Sequence, residues 1–188
     1  MMNEERWFSY PIWWTMAEYE HHQELLEYCL LRKAYDDGNL KSNIGGWQSS
    51  DIYSDSDRTI GKFCAFLQPY LNTLNEKIKI KLIIDNFWIN INGFGTTNDL
   101  HTHPRSYISG VFYVKAEENQ GNICFENPLR HFNQFMYGDS IFLDPIVYHT
   151  PETSKLLLFP SFLPHSVLTN KTNIDRISIA FNTKIVNE

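Results

Sequence analysis

No stretch of the 188 residues approaches the ~18 consecutive apolar positions that a membrane-spanning helix needs, so no membrane span is expected. Long basic runs are missing too, and the formal net charge is -6. Both features disfavour a partner recognised through its phosphate backbone, so no nucleic-acid partner is expected. Cysteine is scarce: Cys29, Cys64 and Cys124 are widely spaced, odd in number and never arranged as CxxC. Free thiols in a reducing compartment follow, rather than a disulfide framework. The first residues, MMNEERWFSYPIWW, are acidic before they are apolar and lack the basic region and long apolar core of a signal peptide. A cytoplasmic location is the resulting expectation. There is no GxSxG elbow, no Walker loop and no GxGxxG, and the acidic residues are too scattered to nominate a glycosidase pair.

What is present is a chain able to bury a core: 43% of its residues are hydrophobic and 15% aromatic. The periodicity suggests one domain over 1–188, with helical support in 1–76 and a β core in 77–188. WFSYPIWW at 7–14 reads as an edge strand, or else as an exposed aromatic patch. A helix is expected from Glu18 to Tyr35, with Leu25, Leu26, Cys29, Leu30 and Lys33 at three- and four-residue steps, stopped by Asp36, Asp37 and Gly38. SNIGGWQSS reads as a loop whose Trp47 either caps a site or plugs the core. A second helix is expected over roughly Thr59 to Asn75, capped from Ser54–Asp57, with Ile60, Phe63, Cys64, Leu67 and Leu71 on one stripe.

After Asn75 the period changes to two. From Lys77 to Ile84, Lys77, Lys79 and Lys81 alternate with Ile78, Ile80, Leu82 and Ile84, which predicts a half-solvated strand. DNFWININ continues it, with Trp88, Asn90 and Asn92 on one face and Ile89 and Ile91 on the other, and GFGTTND reads as a loop. Further strands are expected near 106–115, 121–126, 139–143, 156–159, 165–169 and 175–183, with a loop insert at 127–137. Closely spaced strands with polar turns predict a mainly β fold. Its expected form is a double-stranded β-helix, a jelly-roll or cupin-like core supported by the N-terminal α-helices.

The chemistry concentrates in LHTHPRSYISGVFYV, residues 100–114. Residues i and i+2 of a strand share a face, so His101 and His103 can reach one ion. His165, in FPSFLPHSV, offers a third imidazole, and imidazole suits iron, zinc, copper and nickel. His21, His22, His131 and His149 have no such context and read as surface or loop residues, His149 being the reserve ligand. Arg176 and Ser178 alternate with Ile177, Ile179 and Phe181, which aims both polar side chains into the barrel. A buried guanidinium needs an anion there, either a bound carboxylate or a structural Asp or Glu. Tyr113 is either core packing or part of the site. Asn90, Asn92 and Asn98 could line its mouth.

The order HxH, then His, then RxS resembles 2-oxoglutarate- and Fe(II)-dependent dioxygenases, and more narrowly a family of 2OG-Fe(II) oxygenases of mostly unknown substrate. Three stretches carry the likeness: SNIGGWQSS, HTHPRSYISGVFYV, and LLLFPSFLPHSVLTNKTNIDRISIAFN. The resemblance implies Fe(II) on His101, His103 and His165. It also implies 2-oxoglutarate as cosubstrate, its far carboxylate on Arg176 and Ser178 with the Tyr113 hydroxyl in reach. The implied reaction hydroxylates a small molecule or a protein side chain and releases succinate and CO2. The sequence departs from the broad pattern at His103, where the usual HxD motif has a carboxylate. Two alternatives stay open: a cupin-like metalloprotein with zinc or another metal on the three histidines and no 2-oxoglutarate, and a non-catalytic metal-containing binding module. A homodimer is compatible with the sequence.

Overall fold

The central strand of the molecule, β11 (Arg176–Ile185), shows most directly how the alternating pattern becomes a fold. Its apolar residues Ile177, Ile179 and Phe181 are fully buried on one side, and Arg176, Ser178 and Asn182 are buried on the other. Around it the computed structural model describes residues 10–128 and 146–186. In chain order the remaining elements are β1 (Trp13–Met16), α1 (His22–Tyr35), β2 (Asn43–Ile44), β3 (Trp47–Gln48), α2 (Arg58–Ile78), β4 (Leu82–Asn92), β5 (Thr97–His101), β6 (Ile108–Lys115), β7 (Ile123–Glu126), β8 (Ile146–His149), β9 (Lys155–Pro160) and β10 (His165–Val167). The strands form two antiparallel sheets, β1-β9-β6-β11-β4-β3 and β2-β5-β10-β7-β8. Fold class is therefore as expected: a mainly β double-stranded β-helix with N-terminal helices. Among the described residues no helix is long and apolar enough to cross a membrane.

The two faces of the larger sheet have different partners. Its outer face packs on the helices through Phe87, Ile89, Phe112 and Phe181, which meet Leu25, Phe63 and Leu67. Its inner face turns to the second sheet, with Val111, Tyr113, Leu157 and Phe159 against Ile123, Phe125 and Leu163. Helix α2 starts where Asp57 accepts a hydrogen bond from the Thr59 amide at 2.8 Å. Phe63 is the hub of the outer core, its ring 5.4–5.9 Å from those of Tyr19, Phe66, Phe87 and Phe112.

Several expectations needed correcting. Residues 77–81 are not a strand. Ile78 extends the stripe of Leu71 and Leu74 at helical spacing, so α2 runs through it and ends at Lys79, whose φ of 57° reverses the chain. The Asn75 side chain then closes the turn, bonding both the amide and the carbonyl of Leu82 at 3.1 Å. The lysine–isoleucine alternation fits both periods, and packing of the stripe decides between them. Leu30 is exposed, and Tyr28 takes its place on the buried face of α1. His22 is no surface residue: its ring donates to the Val114 carbonyl at 2.5 Å and ties α1 to β6. Thr97–Asp99 belong to β5 rather than to a loop, and β8 places His149 on a strand.

The edge position expected for WFSYPIWW is met by Trp13–Met16 beside β9, while Trp7 lies outside the described residues. So do the strand expected at 139–143, His131, and residues 129–137 of the expected insert. SNIGGWQSS contains a change of sheet: Asn43–Ile44 pair with β5, and Trp47–Gln48 pair with β4. Gly45, at φ +72°, makes the crossing, and a Cβ on Gly46 would sit 2.7 Å from the Asn92 amide nitrogen. Trp47 plugs the outer core and donates from Nε1 to the Asp36 carbonyl at 2.9 Å.

Phe63→Ala should remove the hub and leave a cavity that the neighbouring rings cannot fill. Equilibrium denaturant unfolding should show a loss of about 3–5 kcal/mol. Leu30→Ser, on the solvent side of α1, should change stability by less than about 0.5 kcal/mol.

Candidate metal centre

Two strands and one turn bring the histidines together. His101 ends β5 and is the cross-strand partner of His165 on β10. His103 is not on the same strand as His101, as the i, i+2 argument supposed. It lies in the turn after β5, with its backbone amide bonded to the Ser161 carbonyl at 2.9 Å. The rings nevertheless converge: their centroids are 4.3, 5.0 and 5.1 Å apart, and one nitrogen from each lies within 4.8 Å of the others. His149 is outside this group. Its ring packs edge-on against Phe125, which lies opposite His165 in the sheet.

Each ring is held by its other nitrogen. His101 Nδ1 lies 2.7 Å from the Asp99 carbonyl and His165 Nδ1 lies 2.9 Å from the Leu163 carbonyl. A carbonyl only accepts, so both Nδ1 atoms carry the proton and both Nε2 atoms keep a lone pair. His103 donates from Nδ1 to Asn182 Oδ1 at 2.7 Å. That amide is fixed in turn, because Ser109 Oγ donates to the same oxygen at 2.7 Å and Asn182 Nδ2 donates to Asn86 at 3.2 Å. Such outer partners set ring orientation and tautomer in metal sites. The sequence contains the signal for Asn182, which continues the inward-facing alternation Arg176, Ser178, Ala180; its bond to a residue 79 positions away does not show in a linear pattern.

Burial keeps the three rings neutral. Loss of water pulls His165 down to about 3 and His103 to about 4, the Asn182 bond opposing the latter, and His101 is lowered by the same cause. His103 Nε2 is buried and has no hydrogen-bond partner. A buried lone pair without a donor costs free energy, and a cation is what three convergent neutral imidazole nitrogens can take. The residues therefore fit a divalent transition metal.

Arg176 lines the same cavity, together with Ser178, Tyr113, Asn90 and Asn98. Asn92 lies outside it, its side chain donating to Asn98 at 3.3 Å. Ser178 sits in the sheet between Asn90 of β4 and Tyr113 of β6. The guanidinium is buried, which lowers its pKa, and no carboxylate among the described residues forms an ion pair with it. Its Nη1 donates to the carbonyls of Gln120 and Gly121 at 2.9 and 2.8 Å, and its Nε has no partner. The alternative of a structural Asp or Glu thus gains no support, and a buried cation with donors to spare fits an anion. Tyr113 is buried beside it, its phenol pushed up to about 12 by burial, so it stays a hydrogen-bond donor at neutral pH. Outward, the cavity joins a cleft of about 680 Å³ that shares Trp88, His101 and His103 and is rimmed by Lys41, Asp51 and Asp99. Trp88, with its ring 5.4 Å from that of His103, was read from the sequence only as a face of a strand.

Comparison with known proteins gives one family match and a set of structures alike in fold. The family model described as "Putative 2OG-Fe(II) oxygenase" matches residues 86–182, just over half of the chain. No curated protein sequence matches. Solved structures match in fold. A Pseudomonas putida prolyl-4-hydroxylase aligns at TM-score 0.70 and 14% identity, covering 95% of this chain and 95% of its own. HygX from Streptomyces hygroscopicus, with nickel and 2-oxoglutarate bound, aligns at TM-score 0.68 and 11% identity over 92% of this chain and 82% of its own. The viral collagen prolyl hydroxylase of Paramecium Bursaria Chlorella virus-1, as a 2-oxoglutarate complex, aligns at TM-score 0.63 and 14% identity over 93% and 96%.

The neutral histidines carry a testable cost. Folded, each binds its proton less readily than at the ordinary value of 6.5, so below that pH the unfolded chain takes up more protons. Their contribution to stability is fully present above pH 6.5 and is lost as the pH falls through about 4 and about 3. Metal-free protein should therefore melt at steadily lower temperature from pH 7 to pH 4. His165→Gln, which carries no titrating ring, should flatten that slope.

Proposed function

The chain belongs to the 2OG-Fe(II) oxygenase family, and on that premise we propose that it hydroxylates a small molecule or a protein side chain at a centre held by His101, His103 and His165. The observation that carries the assignment is the shared cavity: three neutral imidazoles with free Nε2 atoms at one end, and a buried arginine without an acidic partner lining the same space. Bound together, Fe(II) and 2-oxoglutarate would supply the redox chemistry, in which substrate C–H, O2 and 2-oxoglutarate give hydroxylated substrate, succinate and CO2.

The protein's part is to bind, orient and shield. The three Nε2 atoms would hold the metal. Arg176 would take the far carboxylate of 2-oxoglutarate, with Ser178 and the protonated Tyr113 hydroxyl adding donors. His103 in place of a carboxylate leaves all three protein ligands neutral. The cosubstrate's 1-carboxylate would then supply the negative charge nearest the ion, its far carboxylate being matched to Arg176, which would couple the two binding events. The substrate would enter by the outer cleft, where Trp88 offers an aromatic wall beside His103 and the polar rim gives hydrogen-bonding groups.

Arg176→Ala tests the assignment. It should cost a charge-assisted contact of about 2–5 kcal/mol, weakening 2-oxoglutarate binding roughly 30-fold or more. Anaerobic titration of the Fe(II)-loaded proteins, followed by the metal-to-ligand charge-transfer absorption, would measure it. Metal affinity should be unchanged. Equal cosubstrate affinity in the two proteins would make Arg176 structural.

A further inference from the structure

Arg176 has two of its five N–H donors committed before any ligand arrives. Both bonds leave from Nη1, to the carbonyls of Gln120 and Gly121. A guanidinium held at one corner keeps one intact edge, Nε with Nη2, whose two parallel N–H bonds match the two oxygens of a carboxylate. That edge includes the unpartnered Nε. The direction in which the edge points is therefore set by the turn that supplies the carbonyls.

That turn is braced from one side. Gln120 is completely buried, although its side chain is polar. Its Oε1 accepts from the Glu117 amide at 2.9 Å, which closes the turn. Its Nε2 donates to the Ile174 carbonyl at 3.1 Å and weakly to Thr172 Oγ1 at 3.4 Å. Ile174 lies two residues before Arg176, so Gln120 links the turn that grips the guanidinium to the segment that delivers it. Backbone bonds from Lys171 to Asn119 at 3.0 Å and from Leu168 to Asn122 at 2.9 Å flank the link. Asn170 donates to the same Ile174 carbonyl at 2.9 Å. Gly121 completes the bracket at φ +89°: a Cβ there would lie 1.9 Å from the Leu168 oxygen and 3.2 Å from Arg176 Nη1.

We infer that Gln120 is a positioning residue for the cosubstrate anchor, holding the Gln120–Gly121 carbonyls so that Arg176 presents its Nε–Nη2 edge to the far carboxylate. The inference rests on the proposed 2-oxoglutarate site and adds a residue that does not touch the ligand. It predicts an effect confined to ligands that reach Arg176.

The test uses the full-length, Fe(II)-loaded protein under anaerobic conditions, with Gln120→Ala and the volume-conserving Gln120→Met. Two ligands are titrated: 2-oxoglutarate, and 2-oxobutyrate, which keeps the chelating 1-carboxylate and 2-oxo group but has no far carboxylate. Gln120→Met should weaken 2-oxoglutarate about tenfold and leave 2-oxobutyrate unchanged. In an Arg176→Ala background it should have no further effect on either ligand, because it acts through that side chain. A parallel loss for both ligands, or additive losses in the double variant, would overturn the inference and leave the cosubstrate assignment standing. Wild-type protein that binds Fe(II) but not 2-oxoglutarate would overturn the assignment itself, and the inference with it.

Discussion

The two-faced alternation of β11 is the constraint on which the rest depends. One side of the strand glues the larger sheet to the helices through Ile177, Ile179 and Phe181. The other side delivers Arg176, Ser178 and Asn182 to the interior. A shift of pairing by one residue would exchange these sets, burying a guanidinium against phenylalanine rings and turning isoleucines into the cavity. Its neighbours β4 and β6 hold the register over most of its length. The stability of the outer core and the chemistry of the inner face are thus enforced by the same hydrogen bonds.

The interior leaves two kinds of buried group without their natural partners. Burial has driven three imidazoles to the neutral form, and it has enclosed a cation that finds carbonyls but no carboxylate. Neither arrangement favours folding, since each leaves a buried nitrogen without a partner. The two deficits are complementary. Convergent lone pairs suit a cation and a free guanidinium edge suits an anion, so the proposed metal and 2-oxoglutarate would relieve both.

Much of this was readable from the residues. Period two in DRISIAFN put Arg176 and Ser178 on the inward face, in DNFWININ it put Trp88 and Asn90 on a face opposite Ile89 and Ile91, and Ile60, Phe63, Leu67 and Leu71 formed the stripe by which α2 packs on the sheet. The misreadings have a common physical origin. Lys77–Lys81 satisfied two periods, and a tertiary contact, the burial of Ile78 with Leu74, decided between them. His22, Asn182 and Gln120 act through bonds to residues 92, 79 and 54 positions away. A lone polar residue gives no local sign of such a bond. His101 and His103 converge for a reason other than the one the spacing suggested, since a turn rather than a shared strand face aims the second ring.

The passage of the chain from β2 to β3 bears on how the cavity can breathe. Asn43–Ile44 belong to one sheet and Trp47–Gln48 to the other, with only Gly45 and Gly46 between them. A two-residue link cannot lengthen, and a side chain on Gly46 would displace the Asn92 side-chain amide. At this edge the two sheets are therefore tied within the reach of a two-residue link, so any widening of the space between them has to occur away from Gly45.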